Sequence, residues 1–235
     1  MSTLVSSEDP RHQYNTRSTT RSEVIPGPAV PSPRHKMLRI SQTQFEEARS
    51  LFLQDPSRGP VCLARGISLQ GYYKYCTNHP RLPLRICLRN WNVEAYELPD
   101  RPHDIIAGTF NTLVNEWDPT RQLYCGSDRD IQVGQTDMIS PDCNVEPIHL
   151  PPPLPGQGSG PNNDPYPTVI VEVATSQGLP SVHAKVRLWF SPQTQIQLCL
   201  VIKIWGRRLN NTIAMVALLY QRANPNPLTP TNAIP

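Results

Sequence analysis

A glutamate interrupts an apolar run, Thr168-Val169-Ile170-Val171-Glu172-Val173-Ala174, and a lysine follows thirteen residues later at Lys185. The run is rich in β-branched residues and reads as a strand buried on both faces. An ionised carboxylate in that setting is costly unless it is paired or bound to a metal. Thirty residues upstream, Ser140-Pro141-Asp142-Cys143-Asn144-Val145 forms a second short extended segment with its own carboxylate. Strand alternation puts Ile170, Glu172 and Ala174 on one face. With Asp142 on a neighbouring strand in matching register, the two carboxylates converge, and a divalent ion between them relieves their repulsion. Oxygen donors with open water positions suit Mg²⁺ or Mn²⁺. Such an ion polarises a phosphoryl oxygen and lowers the pKa of an attacking water, which is the chemistry of phosphodiester hydrolysis.

Each candidate has a plainer reading. Glu172 could be one half of a structural ion pair with an arginine. Lys185 lies about 100° from the centre of the stripe Leu179, Val182, Val186 and Phe190 on a helical wheel. It can run its stem along the sheet and present its ammonium beside Glu172, or it can be a solvated flank residue. Ser176 reads as a helix cap before a phosphate contact. Lys203, opposite Ile202 and Ile204 on the next strand, competes with Lys185 for the same task. His103, near a helix start, reads as an ordinary turn residue ahead of a base. Glu94 and Glu97 read as exposed, and Asp128 and Asp130 as partners of Arg129 or nearby arginines. The absence of GxGxxG, P-loop and GxSxG patterns disfavours nucleotide-cofactor and serine-hydrolase chemistry.

The elements that must position these groups follow from pattern. Ser41 or Thr43 opens a short helix with Phe45, Ala48 and Phe52 on one face, ended by Pro56. Residues 61–98 alternate between glycine and proline breaks and predict two or three strands, clearest at 84–88 and 93–98. A helix is expected over 103–117 with Ile106, Phe110, Leu113 and Trp117 at helical spacing. Strands follow at 123–133, around Asp142 to 148, 168–174, 196–205 and 213–221, with a helix over 179–190. The 17-residue loop 151–167 is either disordered or functional.

Composition sets the frame. The 235 residues allow one domain with a real core. Hydrophobic content of 38% and 27 prolines imply that part of the chain stays unfolded. That part is assigned to an arm at 1–36 and a tail at 223–235. The charge of +3 makes no strong positive field, yet 18 of the 22 basic residues are arginine, which suits bidentate contact with phosphate or carboxylate. Six cysteines without paired spacing read as free thiols of a reducing compartment. Cys76 and His79 lack the second pair that zinc requires. With no apolar run long enough to span a bilayer, the expectation is a soluble intracellular protein without membrane partners.

From about Trp91 to Trp205 the chain resembles the PD-(D/E)XK nuclease superfamily. Within it, the likeness is to the family of candidate restriction endonucleases abundant in cyanobacteria, with eukaryotic relatives in some fungi. Ser140-Pro141-Asp142, Pro167 through Ser176, Lys185, the strand ending Ile202-Lys203-Ile204, and His103 before an amphipathic helix carry this likeness. The resemblance implies an α/β restriction-endonuclease-like core with a central mixed β-sheet flanked by helices, here with a leading β-ribbon. The domain would span 37–222, with its core at 91–205. It also implies that Asp142, Glu172 and the Val173 carbonyl bind Mg²⁺ or Mn²⁺, and that DNA is the substrate, with a homodimer allowed. Ala174 replaces the superfamily's usual lysine, and Lys185 stands where a helix-borne substitute is found. The alternative is a catalytically inactive nucleic-acid-binding or protein-interaction module that keeps the fold.

Overall fold

The Ser41 side chain accepts the Gln44 N–H while the Gln44 side chain accepts the Ser41 N–H, a reciprocal cap that opens α1 (Gln42–Gln54). This is a computed structural model, which describes residues 37–55, 58–97, 101–127, 129–224, 230 and 232–234. The expected arm at 1–36, the Pro56 stop and Asp128 lie outside those residues. Phe45, Ala48 and Phe52 are buried on the inner face of α1, as their spacing predicts. Of the two expected openers, Ser41 is the cap and Thr43 is not.

After β1 (Val61–Arg65) comes α2 (Leu69–Asn78), where strand was expected. Ser68 caps α2 by accepting the Gly71 N–H, and Tyr72 and Tyr75 bury one face three residues apart. The β-favouring tyrosines and Gly71 disguised a helix whose burial repeats at helical spacing. The hairpin β2 (Arg85–Arg89) and β3 (Asn92–Glu97) matches expectation. Its turn places Asn90 at φ 48° and Trp91 at φ 63°. Two left-handed residues in succession give the twist a two-residue hairpin needs.

The helix α3 (Arg101–Trp117) buries His103 and Val114 and half-buries Phe110. Leu113 and Trp117, expected on its apolar stripe, are exposed instead. The strand expected over 123–133 divides into β4 (Leu123–Gly126) and β5 (Ile131–Gln132), followed by β6 (Met138–Ile139) and β7 (Cys143–Pro147). Next are β8 (Val169–Ala174), α4 (Leu179–Trp189), β9 (Leu198–Ile204), β10 (Met215–Gln221) and β11 (Asn232–Ile234). The last of these pairs with β10 inside a tail expected to lack structure.

The result is a mixed α/β fold with two sheets flanked by helices. One sheet runs β1-β3-β2-β6-β5 and the other β11-β10-β9-β8-β7-β4. Among the described residues only β8 and β9 pair in parallel, joined through α4. The leading ribbon is therefore part of a five-stranded sheet completed by β5 and β6 from mid-chain. Ile170, Ala174, Val182, Val186, Trp189, Cys199 and Val201 share one core between the second sheet and α4. No helix among the described residues is long and apolar enough to cross a membrane.

The 151–167 loop is tied down by its own side chains. Asn163 accepts the N–H groups of Gly156 and Gly158 at 3.1 and 3.0 Å and donates to the Pro153 carbonyl. Arg129 donates to Ser159 and to the Pro165 carbonyl. Its carboxylate partners are Glu146 at 2.9 Å and Asp164 at 3.9 Å, while Asp130 accepts from Ser140.

Candidate functional site

In the β7–β8 ladder Cys143 faces Val171 and Asn144 faces Ile170. One further step of that register sets Asp142 opposite Glu172, and directly opposed residues share a face. Both are buried, at 1% and 4% exposure. The Asp142 Oδ2 accepts the Val173 N–H at 2.5 Å, so the carboxylate itself continues the hydrogen bonding where the ladder ends. Its Oδ1 meets the Arg85 guanidinium and lies 2.7 Å from His103 Nε2. Glu172 accepts from Lys185 Nζ on Oε2 and from Trp189 Nε1 on Oε1, both at 2.6 Å. Lys185 also lies 5.0 Å from the centroid of the Tyr96 ring.

The helix α4 explains the geometry. Lys185 and Trp189 are one helical turn apart, so both reach one glutamate on the strand beneath. Burial pushes the Glu172 carboxyl up, Lys185 opposes this and Asp142 adds to it, and the group settles at about 7. Burial also raises Asp142, but the His103 hydrogen bond and the charges of Lys185 and Arg85 outweigh it and bring it to about 2. Lys185 is disfavoured as a cation by burial, but Glu172 overrides this and holds it charged. Two carboxylates side by side are thus driven apart, one firmly ionised and the other titrating near neutrality.

The structure brings Asp142, Glu172 and Lys185 together, with Val173 supplying a backbone N–H. Lys203 aligns with Ala174 across the parallel pair, but its Nζ donates to the Thr175 carbonyl at 2.6 Å. Ser176 is not the cap of α4; Gly178 holds that position without a side-chain bond. Sequence reasoning undervalued His103 and missed Arg85, Trp189 and Tyr96. The available signal for Trp189 was its spacing of three from Val186 on the buried stripe. For Arg85 it was an arginine bounding an apolar strand.

The resemblance implies a divalent ion, and the donor chemistry suits one. Asp142 Oδ1 is filled by Arg85 and His103. Oδ2 and each Glu172 oxygen accept one of the hydrogen bonds described above, which leaves acceptor capacity. Asn144, two residues along β7, buries both amide atoms without a hydrogen-bond partner. No group of three or more His, Cys, Asp or Glu side chains among the described residues is arranged to hold a metal, so backbone or water oxygens would complete the set. The residues fit a hard cation, and the ammonium on Glu172 Oε2 is the group that must yield.

No protein-family model matches the chain. No curated protein is detectably similar to it in sequence. Among solved structures, it is similar to a protein from Anabaena variabilis ATCC 29413 described as "a putative nuclease belonging to DUF820". The identity is 15%, covering 67% of this chain and 81% of that one, with a TM-score of 0.49.

Beside the site, a cavity of about 800 Å³ runs between α2, β2 and the 158–164 loop, with Arg85 and Tyr96 in its wall. A smaller one of about 130 Å³ shares Tyr96 in its wall and is lined by Lys185.

Proposed function

We propose that this chain is a metal-dependent nuclease of the PD-(D/E)XK type that hydrolyses DNA phosphodiester bonds. The observation that carries the reading is the placement of Asp142 opposite Glu172 with the Lys185 ammonium 2.6 Å from the glutamate. A bound Mg²⁺ or Mn²⁺ would supply Lewis-acid polarisation and an activated water, held by Asp142, Glu172 and the Val173 carbonyl. The chain's own residues do the rest. Arg85 and His103 fix Asp142 as an ionised ligand. Trp189 fixes the Glu172 rotamer from below. Lys185, displaced from Glu172, is left charged and buried beside the reacting phosphate, where it stabilises developing negative charge and takes over from the lysine that Ala174 lacks.

A second reading, a catalytically inactive nucleic-acid-binding or protein-interaction module, is favoured by Ala174 and by the extent to which Arg85 and Lys185 already neutralise both carboxylates. Supercoiled plasmid incubated with Mg²⁺, Mn²⁺ or EDTA separates the two. The nuclease nicks it only with metal, and Lys185→Ala loses roughly two orders of magnitude or more in rate while DNA binding weakens far less. Millimolar Mg²⁺ or Mn²⁺ should raise the wild-type melting temperature by mass action, and Glu172→Gln should blunt that rise. Intact DNA under every condition, together with salt-dependent binding, selects the module.

A further inference from the structure

We propose that the smaller cavity is a phosphate site, taking the phosphoryl group of a nucleic acid at a position distinct from the one being cleaved. Its wall carries three cations, Arg58, Arg89 and Lys185, and no carboxylate. The Arg58 Nε is buried without a hydrogen-bond partner, and Arg89 forms no ion pair among the described residues. The first turn of α4 also borders the cavity through Gly178 and Ser181. Because Gly178 offers no side-chain cap, the positive end of the helix dipole adds to the same field.

Volume and charge together name the ligand. At about 130 Å³ the cavity has room for one tetrahedral oxyanion. Two guanidiniums in a wall without a carboxylate, with the Lys185 ammonium beside them, suit a phosphate mono- or dianion, to which each guanidinium can offer paired hydrogen bonds. Lys185 belongs to both the cavity and the Glu172 pair, so a phosphate held here competes with Glu172 for the ammonium. The inference rests on the nuclease reading only for the source of the phosphate, either a backbone diester or a 5′-terminal monoester.

The test is calorimetric titration of the full chain with inorganic phosphate at fixed ionic strength, with chloride as the matched control. Saturable binding in the millimolar range is expected, weakened about tenfold or more by Arg58→Gln with Arg89→Gln. Arg89 is half-exposed, so Arg89→Glu and Arg89→Lys serve if the double variant does not fold: the first should abolish binding and the second retain most of it. Oligonucleotides of one length with and without a 5′-phosphate distinguish the sources. A preference for the phosphorylated strand assigns the terminal monoester, and equal binding that both arginine variants weaken assigns the backbone. Phosphate binding no better than chloride, or unchanged in Arg89→Glu, overturns the site. DNA cleavage without phosphate binding overturns this site and leaves the nuclease reading standing. Phosphate binding without cleavage does the reverse.

Discussion

Asp142 and Glu172 share one site yet respond oppositely to acid, and the stability of the protein should record both. Glu172 rises on folding from its ordinary 4.5 to about 7. Between those values the unfolded chain is ionised and the native group is protonated, so stability falls as pH rises through that window. Asp142 drops on folding from 3.8 to about 2, so its contribution is present above 3.8 and is lost as pH falls toward 2. Urea unfolding should therefore show greatest stability near pH 4 to 5. Glu172→Gln should flatten the decline between about 4.5 and 7, a change on the order of 1 to 3 kcal/mol. Asp142→Asn should flatten the acid limb, and it leaves Arg85 facing a neutral amide. A wild-type profile rising steadily from pH 4.5 to 7 would refute the assignment of the titrating group.

At the scale of elements, the loop 151–167 shows how much order a proline- and glycine-rich stretch can hold. A Cβ at Gly158 would lie 2.5 Å from the Asn163 backbone and 2.8 Å from the Asp164 carbonyl oxygen, contacts that neither can relieve by a rotamer change. Gly158→Ala should cost about 1 to 3 kcal/mol in thermal or urea unfolding and speed proteolysis within 151–167. Gly156→Ala meets no atoms but sits at φ 77°, so its cost should be near 1 kcal/mol. The loop also shows what sequence could and could not tell. Asp142, Glu172 and Lys185 were legible because a charge inside an apolar period is conspicuous without knowing the fold. Arg85, His103 and Trp189 were not, because each joins the site from an element of ordinary appearance 17 to 57 residues from its carboxylate partner: Arg85 is 57 residues from Asp142 and Trp189 is 17 from Glu172. The helix α2 was hidden by side chains that favour strands, and the division of β4 from β5 by a partition between sheets that no local pattern encodes.

At the scale of the whole molecule, the two sheets cannot be separated. Met138, from mid-chain, lies in the core formed by α1, α2 and the first hairpin, and Cys87 of that hairpin lies in the core beneath α4. Strand β6 enters the first sheet through Leu88 and Met138. The stretch 91–205, which carries the sequence resemblance, therefore omits Arg85, Cys87 and the strand β10 that covers β9. Expressed alone it should give a poorly dispersed proton NMR spectrum. The chain from 37 onward should unfold in a single transition, with circular dichroism and fluorescence coincident.

The bond from Trp189 to Glu172 also makes the molecule its own optical gauge. An indole N–H bound to a carboxylate has an excited state sensitive to that charge, and Trp189 is fully buried while Trp117 is 79% exposed. With Trp91, Trp117 and Trp205 changed to phenylalanine, the remaining blue-shifted emission should titrate with a midpoint near 7. Any cation or phosphate that draws Lys185 away from the glutamate should then register as a change in colour or brightness, before a single bond in DNA is cut.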